Sequence, residues 1–404
     1  MTKRIGGVTQ HYAWGGFHYL PQLLGLANHE LRPFAELWFG DHSGGNSPVL
    51  NDEDGIKNLR QYIDTEPGSL LGAATHKKYQ GRLPYLLKIL DVRNMLSIQA
   101  HPSKEAATKG FLEENRKQIP LNAPNRVFKD QNPKPEMMVA LTPFWLLHGF
   151  LPTEAAAKNL ALIPSLESFS HVFTSEGIKK AYEKWMSLPQ VEVDACLAPL
   201  HRHLIQLSDT AIEKSSPDYW AKKAFLEFPS KEGHYDRGIF SIYVMNLVHL
   251  QPGEAIFQDT GLLHAYLEGT NIELMVNSDN VFRGGLTDKF MDIPLLLHHL
   301  DFRPTHPIVI KPKVKKSGEK EFEVPSKDFY LSSIELKNGA DYRLLPAEGP
   351  TLLLCLAGSI KGMDASGLSL NAGEAFFIPH QTALSFRCEG IHTAVLYQAG
   401  IPKT

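Results

Sequence analysis

The chain has 404 residues, 43% of them hydrophobic and 21% charged, with a formal net charge of −3 at pH 7. That length exceeds one compact core and predicts two or three domains, and the composition excludes large-scale disorder. The near-neutral balance offers no basic field for nucleic acid or an anionic membrane, so an anionic ligand must be met by local Lys and Arg.

Residues 1–7 lack the apolar core of a signal peptide, and no apolar stretch is long enough to span a bilayer. Cys196, Cys355 and Cys388 are far apart and form no CxxC pair, so reduced thiols and a cytoplasmic location are expected. From the start to about residue 150, short apolar runs separated by Gly and Pro, such as 34–40 and 83–90, read as strands. Within this region residues 96–101 alternate. Ser97, Gln99 and His101 leave one face of the predicted strand, and Leu96, Ile98 and Ala100 leave the other. A polar face on a core-like strand points to a pocket lining, and it presents Gln99 and His101 as two possible metal ligands. Ser103 then caps a predicted helix over 104–116.

The stretch 153–228 changes character. Thr153 stands as a capping residue, and Ala, Leu, Lys and Glu recur at helical spacing, which predicts an all-helical insertion. The apolar, β-branched run 239–248 reads as a strand. Residues 250–264 then form a strand, a glycine-led turn and a returning strand carrying His264. The pattern recurs at 370–384: Gly253-Glu254-Ala255 aligns with Gly373-Glu374-Ala375, and His264 falls opposite Leu384. This self-similarity predicts duplicated architecture in which only the first copy can bind a metal through that histidine. Residues 304–320 read as a linker or solvated edge. Their lysines have neither the aromatics nor the helical frame of a nucleic-acid patch. From 329 onward, short β runs and turns predict a sandwich or barrel. The expected fold is mainly β with a helical insertion.

A further segment, Asn132-Pro133-Lys134-Pro135-Glu136, joins Gln99, His101 and His264. Together with Tyr12-Ala13-Trp14-Gly15, Ala35-Glu36-Leu37-Trp38, the run 278–287 and the helical insertion, the chain resembles the type I phosphomannose isomerases of the cupin superfamily, most strongly over residues 12–290. The resemblance implies two cupin-like β-barrel (jelly-roll) domains and an all-α domain. Residues 1–152 with 234–304 would form a discontinuous catalytic domain, 153–233 the helical domain, and 305–404 a C-terminal cupin-like domain without a metal site. It also implies one zinc ion per chain held by Gln99, His101, Glu136 and His264, a phosphorylated hexose as substrate, and interconversion of mannose 6-phosphate and fructose 6-phosphate. Arg283 would lie over the substrate, and Lys88 and Lys134 match the family's lysines. Pro133 stands where the family usually has histidine, and Asp288 stands where a proline is commoner before Lys289. A monomer is expected, with no nucleic-acid or membrane partner.

Moving a proton between adjacent carbons while a carbonyl becomes an enediolate requires two polarised oxygens and one base. Two imidazoles, one carboxylate and a neutral amide leave a zinc dication with residual positive charge and room for substrate. Arg283 can stabilise the developing oxyanion, and the adjacent Gly284-Gly285 pair suits close approach of a ligand. Lys134 is the favoured base, with Asp279, Glu36 and a metal-bound hydroxide as rivals. Ser97, Lys88 and Lys289 are candidates for the phosphate, and Trp14 for stacking against the sugar. An iron-dependent cupin oxygenase would need the coordination position that Gln99 fills. A non-catalytic sugar-binding cupin would not need the four-ligand set together with Arg283.

Overall fold

The computed structural model describes residues 1–51, 55–229, 233–363 and 368–402. Its largest sheet is organised around one long strand, His264–Val276. The first part of this strand pairs with Phe144–Phe150, placing His264 opposite His148, and the second part pairs with Tyr85–Val92 and Glu136–Ala140. The change of partner follows a register shift between Tyr266 and Glu268. Gly269 at that bend has φ +129°, and a Cβ there would meet Phe144 Cδ2 at 2.6 Å, so glycine is required. Glu36–Phe39 and Val8–Gln10 extend the sheet beyond Tyr85–Val92, while Ala255–Gln258 pairs with Glu136–Ala140. The short strand Ile98–Ala100 lies between His264 and Phe282–Gly285.

Alternation along Tyr85–Val92 sends side chains to two destinations. Tyr85, Leu87 and Ile89 enter an apolar layer shared with Leu331, Leu352, Leu354 and Phe377 of the C-terminal sheet, whereas Lys88 and Leu90 line a cavity on the other face. The C-terminal part has a seven-stranded and a four-stranded sheet, with Leu353, Phe376, Leu396, Leu370 and Phe386 in one apolar cluster. Lys3–Gly6 pairs with Glu374–Ile378 in that seven-stranded sheet and also bonds the N-terminal part, with Gly6 N donating to Pro48 O at 2.9 Å and Leu50 N donating to Arg4 O at 2.8 Å.

The two glycine-led hairpins match in backbone detail. Gly253 and Gly373 have φ +86° and +83°. Glu254 accepts from Gln251 N at 2.9 Å and Glu374 accepts from Asn371 N at 3.0 Å. His264 and Leu384 each open the strand that follows, rather than lying on the returning strand of the hairpin.

Between these sheet regions the chain runs through the helices Thr153–Ala161, Glu167–Met186, Gln190–Gln206 and Pro217–Glu227. They share an apolar cluster with Leu147, Phe150, Leu263 and Phe282 of the large sheet. Pro152, not Thr153, occupies the N-cap, without a side-chain hydrogen bond. The run 239–248 is a strand only from Met245. Before it come a 3-10 turn over Arg237–Phe240, capped by Asp236, and the short helix Ser241–Val244. Residues 239–244 are all buried, so their apolar continuity carries no helical period. Short helices at Leu59–Thr65, Pro67–Leu71 and Ala73–Lys78 also interrupt a region read as strands and turns. Among the described residues no helix is long and apolar enough to cross a membrane.

Candidate active site

Pairing brings distant residues onto one surface. Gln99 is directly opposite His264 on one side and Arg283 on the other, and residues so paired project from the same face. His101 follows that strand, and Glu136 opens the strand paired with Ala255–Gln258. His101 Nε2 lies 3.4 Å from Glu136 Oε1, and His264 Nε2 lies 3.3 Å from Glu136 Oε2. One ligand atom from each of the three residues lies within 4.8 Å of the others, and all three residues are buried.

The two imidazoles are oriented by carbonyls. His101 Nδ1 bonds Asn280 O at 2.8 Å, and His264 Nδ1 bonds Leu262 O at 2.9 Å. A carbonyl only accepts, so each Nδ1 carries the proton and the neutral ring leaves a lone pair on Nε2. Both Nε2 atoms are buried without a hydrogen-bond donor and face carboxylate oxygens, an acceptor-to-acceptor arrangement that a cation between them would relieve. A proton is a poor candidate for that cation. Burial, followed by the Lys134 charge, pushes His101 down to about 4. Burial opposes ionisation of Glu136, yet its neighbours, Lys134 first among them, hold its carboxyl well below the usual range. The donor set fits a divalent metal bound through nitrogen and oxygen, with carbonyls fixing the outer ring nitrogens.

Glu136 borders a cavity of about 880 Å³ that is also lined by Trp14, Glu36, Lys88, Ser97, Gln99, Lys134, Asp279, Arg283 and Lys289. All twelve expected site residues therefore converge on one region, His101 and His264 through the metal cluster. Their charges are not equivalent. Lys88 Nζ lies 3.2 Å from Glu36 and 3.1 Å from Glu273, and 4.9 Å from the centre of the Trp38 ring. Burial acts to lower its pKa, but Glu36 and Glu273 outweigh burial and raise it. Lys134 Nζ lies 2.8 Å from Glu136. Arg283 and Lys289 form no ion pair among the described residues. Arg283 is half-buried, which lowers its pKa, and Lys289 is exposed at the rim. Asp279 meets His42 Nε2 at 3.2 Å; burial opposes its ionisation, and the His42 hydrogen bond leads the interactions that bring its pKa below the ordinary value. The Trp14 ring stacks on Tyr12 at 5.9 Å.

Two local expectations change. Leu96 lines the cavity with Ser97 and Gln99 instead of joining Ile98 and Ala100 in the core. Gly285 serves backbone packing: a Cβ there would lie 2.3 Å from Gly238 Cα, so its small size admits the neighbouring turn, not a ligand. The helical insertion also reaches the site through Glu227 and Phe228, and Tyr235 and Asp236 just after it border the same cavity. Glu273, Tyr266, His42 and Asn280 had no role in the sequence reading. Lys88 and Glu273 did leave a signal: each is a charge inside a short apolar run, 86–90 and 272–276, the two have opposite signs, and they are cross-strand partners.

Known proteins align with this geometry. A family model for the catalytic domain of type I phosphomannose isomerase matches residues 3–153. The mannose-6-phosphate isomerase of Escherichia coli K12 is 34% identical over 386 residues, covering 94% of each chain. The human mannose-6-phosphate isomerase is 30% identical over 418 residues, covering 96% of each. A crystal structure of the Salmonella typhimurium enzyme with fructose 6-phosphate and zinc has TM-score 0.87 and 30% identity over 100% of both chains.

Proposed function

Because the chain belongs to the type I phosphomannose isomerase family, we propose that it is a zinc-dependent aldose–ketose isomerase interconverting mannose 6-phosphate and fructose 6-phosphate. The observation that carries this reading is the pair of donor-less Nε2 atoms facing Glu136 beside a cavity of about 880 Å³. Gln99, His101, Glu136 and His264 would hold the zinc. Bound there, it would act as a Lewis acid on the oxygens at C1 and C2.

The remaining groups divide the work by charge. Arg283, permanently cationic and without a carboxylate partner among the described residues, stabilises the oxyanion of a cis-enediol intermediate. Lys134 carries the proton between C2 and C1. Its Nζ lies 2.8 Å from Glu136, on the cavity wall beside the metal-ligand cluster, which puts it within reach of a substrate held there. Asp279 is a weaker base because its pKa lies below the ordinary value. Lys88 is already matched by two carboxylates, so we place it with Glu36 against the sugar hydroxyls and assign the phosphate to Ser97 and Lys289. Trp14 packs against the sugar. The matched hairpins at Gly253 and Gly373 support reading residues 1–152 with 234–304, and 305–404, as cupin-like units flanking a helical domain at 153–233.

Isomerising fructose 6-phosphate in deuterium oxide tests the chemistry. Deuterium at C2 of the mannose 6-phosphate formed is expected for transfer through an exchangeable base; product made without label contradicts it.

A further inference from the structure

The best-connected buried amide near the metal cluster belongs to Asn280, which has no exposed surface. Its main chain and its side chain do different things. The carbonyl oxygen accepts from His101 Nδ1 at 2.8 Å and so fixes the tautomer that presents Nε2. The carboxamide oxygen accepts from Lys129 N at 2.7 Å and faces Asp130 N at 3.3 Å. The carboxamide nitrogen donates to Asp130 O at 3.0 Å and Asn132 O at 2.9 Å. The segment 129–132 that it grips runs directly into Lys134 and Glu136. Asp130 closes the knot from the other side, accepting from Ser278 Oγ at 3.0 Å and from Asp279 N at 2.9 Å.

We propose that Asn280 is a positioning residue for the metal centre, tying the orientation of His101 to the placement of the segment that delivers Glu136. This inference rests on the zinc-site reading above. One carboxamide satisfies backbone groups of three residues in the loop and thereby locates its own carbonyl against the imidazole. No other side chain of similar size offers both an acceptor and two donors in that geometry; aspartate would place a second carboxylate beside Asp130. Losing the carboxamide releases both the ring and the loop. The two ligands must then be ordered when the metal binds, and the ordering cost appears as weaker affinity.

The test is the zinc dissociation constant of the full zinc-free chain, measured by competition with a chelating dye. The variants are Asn280→Ala, Asn280→Ser, which retains one hydrogen-bonding group, and the control Asn58→Ala. Asn58 caps the helix Leu59–Thr65 by accepting from Gln61 N at 3.0 Å and lies outside the metal cluster. Asn280→Ala should weaken zinc binding by roughly 10- to 100-fold, as loss of outer-shell support typically does. Asn58→Ala should lower thermal stability and leave zinc affinity unchanged. Zinc affinity within twofold of wild type in folded Asn280→Ala overturns the proposal; if that variant does not fold, the same result in Asn280→Ser does so. An equal loss in Asn58→Ala overturns it too, since general destabilisation would then suffice. A wild-type chain that does not bind zinc defeats the underlying zinc reading instead.

Discussion

Replacing Lys88 with methionine should destabilise the protein in a way that fades with acid. Lys88 Nζ sits 3.2 Å from Glu36 and 3.1 Å from Glu273, and all three residues are buried. Removing one partner from a buried ion pair typically costs about 3–5 kcal/mol. Here the cost has a ceiling, because Glu273, whose pKa burial already raises, can take up a proton instead. With an unfolded-state pKa near 4.3, protonating that carboxyl costs roughly 3.7 kcal/mol at pH 7 and only about 1 kcal/mol at pH 5. The sign follows from linkage. A carboxyl with a raised pKa in the folded state binds more protons there than when unfolded, so the variant gains stability relative to wild type as pH falls. Urea unfolding of Lys88→Met and wild type at the two pH values measures the difference directly. Lys88→Met/Glu273→Gln should recover much of the loss and lose most of the pH dependence. An equal loss at pH 7 and pH 5, or strict additivity of the two substitutions, would refute the claim that these groups share one buried charge network.

Arg283→Ala should lower kcat by roughly 10²- to 10³-fold, as removal of one oxyanion donor typically does, while zinc content stays at wild-type level; steady-state kinetics with metal analysis checks both. Zinc at about 100 times its dissociation constant should stabilise the folded chain by ~2.7 kcal/mol, read as a rise in Tm that Glu136→Gln diminishes. Asp279→Asn should preserve more activity than Lys134→Met, because Lys134 is the proposed proton carrier; the reverse order in kcat reassigns the base.

The parts legible in sequence carried local patterns. Ser103 does accept from Ala106 N at 3.2 Å at the start of Lys104–Arg116, since a cap is set by residues three apart. The repeated Gly-Glu-Ala turn was visible because each copy needs a glycine with positive φ at the same place. What was not legible depended on remote partners. Nothing near Lys3 announces its pairing with Phe377, and nothing near Asn280 announces that its carbonyl will meet His101. Residues 239–244 read as part of a strand because full burial erases the polar stripe that marks a helix. Gly285 shows the same limit: its neighbour Arg283 suggested a ligand, whereas the space it saves is taken by Gly238.

Anomalous scattering at the zinc edge, recorded from crystals grown with zinc and a linear substrate analogue, tests the centre most directly. One peak is expected, about 2.0–2.2 Å from His101 Nε2, His264 Nε2, a Glu136 oxygen and the Gln99 carboxamide oxygen. A fully active enzyme whose peak lies elsewhere, or leaves Glu136 or His264 uncoordinated, would contradict it.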